Sequence, residues 1–159
     1  MNAQDFRSLL AQHPFSKDFQ PPQIERLAAQ ARAVTFAPEQ VIFGPGDYST
    51  EFYLIVSGRL ALEMPVGRKV LRIQTLSDGD EFGFSSLITS RPTTFQARAL
   101  QRVEALAFDS HRLLAACQAD PELGFSLMRQ LLMMVSERLD ATRLQLMDTY
   151  SPVAARAGA

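Results

Sequence analysis

The spacing of apolar residues divides the chain into three regions, of which the first covers residues 1–31. Apolar residues recur there at helical spacing, first at Phe6, Leu9 and Leu10 and again after Pro22. Because proline is tolerated in the first turn of a helix, the pattern predicts two short N-terminal helices separated by a proline-containing break.

The second region, residues 32–109, consists of short apolar segments separated by Gly, Pro and Asp. The segment 52–56 ends at Ser57–Gly58, and two others end at 44–47 and 77–80, which are rich in turn residues. Many short strands with turn residues between them are typical of an all-β sandwich or barrel. We therefore expect a mainly β domain with about eight strands, flanked by helices.

The third region, residues 110–149, predicts a short helix followed by a long one. Asp120, Pro121 and Glu122 form a strong helix start, with Asp as N-cap and Pro in the first turn. Beyond them, residues recur at alternating steps of three and four, which is a heptad seam. Its members are Phe125, Met128, Leu132, Val135, Leu139, Thr142 and Leu146. The seam predicts a dimerisation helix. Residues 150–159 are predicted to form a flexible tail, as chain termini commonly do.

Composition narrows the class of protein. The 159 residues are 47% hydrophobic and 21% charged, which is typical of a globular protein and excludes a largely disordered chain. Sixteen basic and seventeen acidic residues give a net charge of −1, which argues against a dedicated nucleic-acid binder. The single cysteine, Cys117, cannot form an internal disulfide, and neither a signal peptide nor a membrane-length apolar run is present. We expect a cytoplasmic protein without membrane association.

Motifs for catalysis and metal binding are missing from the sequence. His13 and His111 are far apart, and neither has a second ligand at metal-binding spacing. There is no recognisable Ser/His/Asp motif and no glycine-rich phosphate loop ending in Gly-Lys. The sequence therefore predicts neither an enzyme nor a bound metal or cofactor.

The order of strand and turn signals resembles the cyclic nucleotide-binding domain family. The resemblance rests on the segments 41–47, 52–60 and 79–87, which carry Gly44, Gly46–Asp47, Gly58, Gly79–Asp80 and Gly83, and it covers roughly residues 10–146. It implies a β jelly roll with a short internal helix near 83–88 and a long C-terminal helix at a dimer interface. In that family the short helix offers backbone N–H groups to a cyclic phosphate, a glutamate accepts from the ribose hydroxyl, and an arginine pairs with the phosphate.

Both charged positions of the family motif differ in this sequence. Phe84 stands where the resemblance implies the glutamate, and Thr93 where it implies the arginine. Each lost charge-assisted hydrogen bond costs about 1.5–3 kcal/mol. Two losses weaken a micromolar ligand by on the order of a hundredfold or more. By strand alternation Phe95 shares a face with Thr93, so Phe84 and Phe95 are expected to face the pocket. There they either form a stacking floor for a different ligand or complete the core.

The remaining candidates for ligand contact are polar. Backbone N–H groups after Gly83, with the Ser85 and Ser86 hydroxyls, suit an anion, although plain helix capping explains both serines equally well. Arg91 is either a substitute for the missing arginine or a solvated loop charge. Thr93 and Thr94 offer hydroxyl contacts or are ordinary strand threonines, and Thr142 is either a purine contact or a register feature of the seam. Alternation places Arg98 on the outer face of its strand.

These observations favour a non-catalytic regulatory domain. The predicted ligand is a cyclic nucleotide or another small anion, and the predicted output passes through the C-terminal helix of a homodimer to a protein partner. The alternative is a ligand-free dimeric scaffold or interaction module with an aromatic-filled pocket. Residues 150–159 are too few for a helix-turn-helix domain, so DNA binding by this chain is not expected.

Overall fold

The computed structural model describes the backbone of residues 2–157 and the side chains of residues 2–150. It contains eight strands, two N-terminal helices, a short helix within the β region and a long C-terminal helix, which confirms the predicted fold class. In chain order the elements are α1 (Ala3–Gln12), α2 (Pro21–Ala28), β1 (Arg32–Phe36), β2 (Val41–Phe43), β3 (Glu51–Ser57), β4 (Leu60–Val66), β5 (Lys69–Leu76), β6 (Glu81–Phe82), α3 (Ser85–Ile88), β7 (Gln96–Ala99), β8 (Val103–Asp109), α4 (Ser110–Ala119) and α5 (Pro121–Ala157). The chain forms two compact units, one ending at Gly124 and one beginning at Phe125.

The strands form two four-stranded antiparallel sheets. One has the order β1-β8-β3-β6, and the other has the order β2-β7-β4-β5. Their facing side chains make the interior of the roll, where Ile55, Leu60, Ala97, Ala99 and Val103 are fully buried. Small alanines and branched residues alternate with outward polar ones, which is the pattern of a half-buried strand.

Strand β3 is buried on both of its faces. Tyr53 and Ile55 point into the interior of the roll. Phe52, on the opposite face, packs against Phe15 with ring centroids 5.3 Å apart and against Phe108 at 6.3 Å. This double burial explains why the segment 52–56 is continuously apolar in sequence instead of alternating.

The loop after α1 is held on β3 by a buried histidine. The Phe15 N–H donates to His13 Nδ1 at 3.1 Å, so Nε2 carries the ring proton and donates to the Ile55 carbonyl at 3.0 Å. Beside it, Pro14 packs on the turn at Gly79, where a Cβ would lie 2.9 Å from the proline ring. Burial lowers the pKa of His13, although its bond to Ile55 and the nearby Asp80 carboxylate oppose this.

The C-terminal helix is longer than the sequence pattern indicates. It runs to Ala157, past Pro152, whereas the predicted helical region ends at residue 149. The backbone of 150–157 is thus helical where a flexible tail is expected, and residues 158–159 lie outside the described residues. Of the seam residues, Phe125 and Leu132 are each 70% exposed, and Leu139 and Leu146 are also exposed. Dimerisation through this seam stays a prediction.

Candidate functional site

The segment between β6 and α3 makes a close turn against β3. Gly83 has φ +78°, and a Cβ at this position would lie 2.5 Å from the Glu51 carbonyl oxygen. Only glycine combines this left-handed backbone with so close an approach. The Gly83 carbonyl accepts bonds from the Ser86 N–H at 3.2 Å and the Ser86 hydroxyl at 2.6 Å. This turn therefore fixes where the short helix α3 begins.

Helix α3 is joined to helix α4 by two serines. The hydroxyl oxygens of Ser86 and Ser110 lie 2.5 Å apart, and Ser110 is buried at the first position of α4. Ser85 heads α3 half-buried and does not share this contact. A cleft of about 340 Å³ lies beside the pair, lined by α3, by the start of α4 and by Tyr48, Ser49 and Thr50. Ser86 therefore links two helices as well as lying next to a cleft.

Thr93 lies in a loop, so the expectation that it shares a strand face with Phe95 is wrong. Strand β7 begins at Gln96, and the alternation rule does not extend back to residue 93. The Thr93 hydroxyl donates to the Gly44 carbonyl at 2.7 Å, and its backbone bonds to Gly46 and Asp47. These three bonds tie the α3–β7 loop to the turn after β2. The Thr93 hydroxyl is engaged inside the protein.

Arg91 supplies the positive charge of the segment 83–95. It is exposed, its N–H donates to the Thr89 hydroxyl at 3.2 Å, and its guanidinium makes no ion pair with any residue the structure describes. Thr94 is also exposed. The structure therefore leaves Arg91 and Thr94 open to solvent, while Thr93 is committed to the fold.

The two phenylalanines that the sequence places in the pocket have different surroundings. Phe95 packs against the core of the roll, so it follows the core interpretation. Phe84 is half-buried and immediately precedes α3. A stacking role for Phe84 stays a prediction.

An aromatic group that the sequence analysis did not single out fills the roll beneath the turn. Tyr53 and Phe82 stack with centroids 4.5 Å apart and planes 9° from parallel. Phe36 meets Tyr53 edge-on at 5.7 Å, and Phe43 lies 6.4 Å from Phe82. Such ring pairs each contribute about 0.5–1.5 kcal/mol beyond their burial. The sequence feature that could have indicated this stack is the position of Phe82 directly before Gly83, because it places an aromatic ring at the base of the turn.

A polar cluster surrounds the tyrosine of this stack. The Tyr53 hydroxyl donates to the Glu51 carboxylate at 2.7 Å, and the same carboxylate pairs with Arg32. Burial, followed by the bond to Glu51, raises the pKa of Tyr53, so its phenol stays protonated. A polar cleft of about 380 Å³ adjoins this cluster and is lined partly by Glu51, Tyr53 and the segment 47–50.

Arg98 lies on the outer side of its sheet, opposite the direction of Ala97 and Ala99. It forms a two-pronged contact with Glu63, at 2.7 Å and 2.9 Å, and a further bond to Glu39 at 2.6 Å. The hydrogen bond from Arg98 lowers the pKa of Glu63, and Glu63 in turn raises the pKa of Arg98. This group belongs to the outer face of the sheet and does not line the roll interior.

Thr142 lies in the second unit, and its hydroxyl donates to the Arg138 carbonyl of its own helix at 2.9 Å. A role as a purine contact stays a prediction.

Within the described side chains, no group of three or more His, Cys, Asp or Glu is placed to hold a metal ion. Among the helices of residues 2–157, none is long and apolar enough to cross a membrane.

A two-sheet roll with a glycine turn leading into a short internal helix defines a class of regulatory ligand-binding domains. The model of the cyclic nucleotide-binding domain matches residues 33–120, and the chain belongs to this family. This confirms the resemblance seen in the sequence.

Individual relatives agree with the family. The "CRP-like cAMP-activated global transcriptional regulator" of Mycobacterium tuberculosis is 28% identical over 142 residues, covering 88% of this chain and 61% of the relative. The chain thus spans less than two thirds of that curated relative's length. Among solved structures, a cyclic nucleotide-binding domain from Methylobacillus flagellatus has a TM-score of 0.82 at 16% identity, covering 92% of this chain and 85% of that one. The Thermus thermophilus Catabolite Activator Protein has a TM-score of 0.70 at 24% identity, covering 87% and 63%. Both structures show the fold.

Proposed function

We propose that this chain is a non-catalytic sensor that binds a small ligand at the turn 83–95 and signals through its C-terminal helix. The observation that carries the proposal is the geometry of the glycine turn at Gly83 and of the start of α3. Gly83 still closes the turn against β3, and Ser86 still fixes the start of α3. Glycine adopts this left-handed backbone without strain, and it is the usual residue where a turn brings the backbone close to a neighbouring segment or to a ligand.

The ligand is proposed to be a cyclic nucleotide held in an altered way or another small anion. Membership of the family supports this, as does the mycobacterial relative, which is a cAMP-activated regulator. Phe84 offers no carboxylate to a ribose, and Thr93 offers no guanidinium to a phosphate. Arg91 is the side chain of this segment that can supply positive charge, and it lies in solvent where it can reach an anion without breaking an ion pair.

The coupling to the output is proposed to pass through the two serines. Because Ser86 lies in α3 and Ser110 opens α4, a ligand that shifts α3 acts directly on the start of α4. Such a ligand biases the helices only if it binds two arrangements with different affinity. Helix α5 follows α4 after Asp120, so the movement reaches the element predicted to carry the signal.

The C-terminal helix is proposed to form a homodimer and to present the output to a protein partner. Exposed large apolar residues recur along its seam, including Phe125, Leu132, Leu139 and Leu146. Contiguous exposed apolar surface of this kind marks interaction sites in soluble proteins. We expect such a regulator to work in the cytoplasm.

A second candidate function is a constitutive dimeric scaffold. The stack of Tyr53 and Phe82, bordered by Phe36 and Phe43, occupies the roll interior with rings. If the interior is a finished core, then the domain has no need of a ligand. The helix seam is the same in both proposals, so dimerisation does not separate them.

A thermal-shift titration separates sensor from scaffold. Cyclic AMP, cyclic GMP and cyclic dinucleotides are each titrated to millimolar concentration against the intact chain. A sensor gains stability as RT ln(1 + [L]/Kd), so its melting temperature rises with ligand concentration. A melting temperature that stays constant for all of them contradicts binding of this ligand class and supports the scaffold.

The double variant Phe84→Glu/Thr93→Arg completes the experiment. If the two missing charges alone prevent a tight grip, this variant gains affinity for cyclic AMP of about a hundredfold or more. Calorimetry that detects no gain in a folded variant would show that the shape of the pocket is also altered. The single variant Thr94→Arg, exposed and next in sequence, is the control for added charge alone.

A further inference from the structure

Strand β5 is an edge strand, and none of the described strands pairs with its outer side. In the sheet order β2-β7-β4-β5 it is the last strand and bonds only to β4. With eight residues it is longer than the other edge strands β1, β2 and β6. Alternate backbone N–H and C=O groups of an edge strand point away from its partner and are open to a further strand.

The side chains of this edge are unusually apolar for exposed residues. All five residues from Lys69 to Ile73 are exposed, with Val70 at 55% and Leu71 at 60%. By contrast, the apolar residues Val34 and Phe36 of edge strand β1 pack against the core. Natural edges are normally short, interrupted by proline or charged, and β5 is long, contains no proline and carries the charges of Lys69 and Arg72.

The charges of the edge indicate what kind of strand fits it. Arg68, Lys69 and Arg72 are exposed, and none forms an ion pair with a described residue. Arg72 stands opposite Glu63, but both carboxylate oxygens of Glu63 already accept bonds from Arg98. The edge is therefore basic as well as apolar. Antiparallel pairing with β5 of a second copy is destabilised by like charges in the registers that set Lys69 opposite Arg72 or Arg72 opposite itself.

We propose that β5 docks an extended acidic segment of a partner protein by strand addition. Main-chain hydrogen bonds supply the affinity of such a complex, and alternate side chains supply its specificity. Across an antiparallel pair, residues directly opposite each other interact, so apolar residues belong opposite Ile73, Leu71 and Val70, and acidic residues opposite Arg72 and Lys69. A further acidic residue, continuing past the end of β5, lies next to Arg68 in the β4–β5 turn. Read along the incoming strand, the complement is valine, glutamate, valine, valine, glutamate, glutamate.

The test uses a capped peptide with that six-residue order, flanked by threonines and labelled with a fluorophore. A matched peptide carries lysine in place of every glutamate. We expect the glutamate peptide to bind the intact chain, to weaken as salt concentration rises, and to protect backbone amides of Lys69–Ile73 from hydrogen exchange. The lysine peptide is expected to bind at least about tenfold more weakly.

Charge reversal in the protein gives the complementary arm. The double variant Arg68→Glu/Lys69→Glu, which changes two exposed side chains, should exchange the preference so that the lysine peptide binds better. Arg59→Glu lies at the opposite end of the β4–β5 pair and is the control, expected to keep the original preference.

Several outcomes would overturn the proposal. One is no binding of the glutamate peptide at millimolar concentration, and another is equal binding of both peptides. Amide protection at β1 or β2 instead of β5 also contradicts it. A second copy of the chain would be the occupant if two results came together. The β5 amides would be protected from hydrogen exchange without peptide, and a dimer mass would be altered by Arg68→Glu/Lys69→Glu. Binding of β5 to vesicles containing anionic lipid, with no peptide binding, would assign the edge to a membrane surface.

Discussion

The hydroxyl oxygens of Ser86 and Ser110 lie 2.5 Å apart and join the short helix of the roll to the start of the first C-terminal helix. The Ser86 hydroxyl also donates to the Gly83 carbonyl at 2.6 Å, so one small side chain holds the glycine turn and both helices together. The proposed coupling therefore runs from the turn to α4 over two hydrogen bonds.

The first prediction removes this hydroxyl. Ser86→Ala should lower the free energy of unfolding by about 1–3 kcal/mol, because the buried Ser110 hydroxyl loses its partner. Ser85→Ala, at the neighbouring half-buried position, is the control and should change it by less than about 0.5 kcal/mol. Urea denaturation measures both. Equal effects of the two variants would mean that the Ser86–Ser110 bond contributes nothing of its own.

The second prediction compares two glycines that both have positive φ. Gly83→Ala places a Cβ 2.5 Å from the Glu51 carbonyl oxygen, whereas Gly67, at φ +62°, has nothing within 4 Å of the same atom. Both variants should lose about 1 kcal/mol of unfolding free energy because alanine disfavours the left-handed backbone. Gly83→Ala should lose about 1–3 kcal/mol more because of the clash. Denaturant midpoints decide this, and similar losses at the two sites would argue against a tight approach of the turn to β3.

The third prediction concerns pH and His13. Burial lowers the pKa of His13 below its ordinary value of 6.5, so the unfolded chain takes up a proton at a higher pH than the folded one. The free energy of unfolding is therefore undiminished above 6.5 and falls as pH drops below it, by at most about 1.4 kcal/mol per pH unit. The fall ends once pH is below the folded-state pKa.

Two variants isolate this effect by urea denaturation between pH 8 and pH 5. His13→Gln does not titrate, so its stability should depend less on pH than that of the unmodified chain. His111→Gln, at an exposed histidine, should keep the original slope. If His13→Gln also keeps it, the pH dependence arises from other groups.

The fourth prediction tests the helix seam. Leu139→Asp places a charge at an exposed seam position and should convert a dimer into a monomer in light scattering, while circular dichroism shows the β domain still folded. Ala141→Asp adds the same charge two residues away, off the seam, and should leave the mass unchanged. A dimer that survives Leu139→Asp would place the interface elsewhere.

Local patterns were sufficient to predict the β roll, the two N-terminal helices and the long C-terminal helix. The turn residues around Gly58, Gly79 and Gly83 are strong signals because each needs a positive φ that other residues avoid. The end of helix α5 was harder to predict, because the helix continues past Pro152, and proline normally indicates a stop.

The site was only partly predictable. The loss of the two family charges at Phe84 and Thr93 is visible in sequence, but the bond from Thr93 to Gly44 joins residues 49 apart and follows from the loop conformation. His13 likewise bonds to a backbone carbonyl 42 residues away, and a carbonyl partner leaves no mark in the sequence. The stack of Tyr53 on Phe82 depends on the register of β3 and β6, which alternation alone does not set.

Strand β3, buried on both faces, leaves the two sides of the domain few ways to change independently. Tyr53 serves the interior of the roll, and Phe52 serves the layer with Phe15 and Phe108. A backbone displacement that accommodates a substitution on one side shifts the neighbouring residue on the other by the same amount. Over evolutionary time, drift in the interior of the roll and drift in the N-terminal layer are thus constrained to occur together.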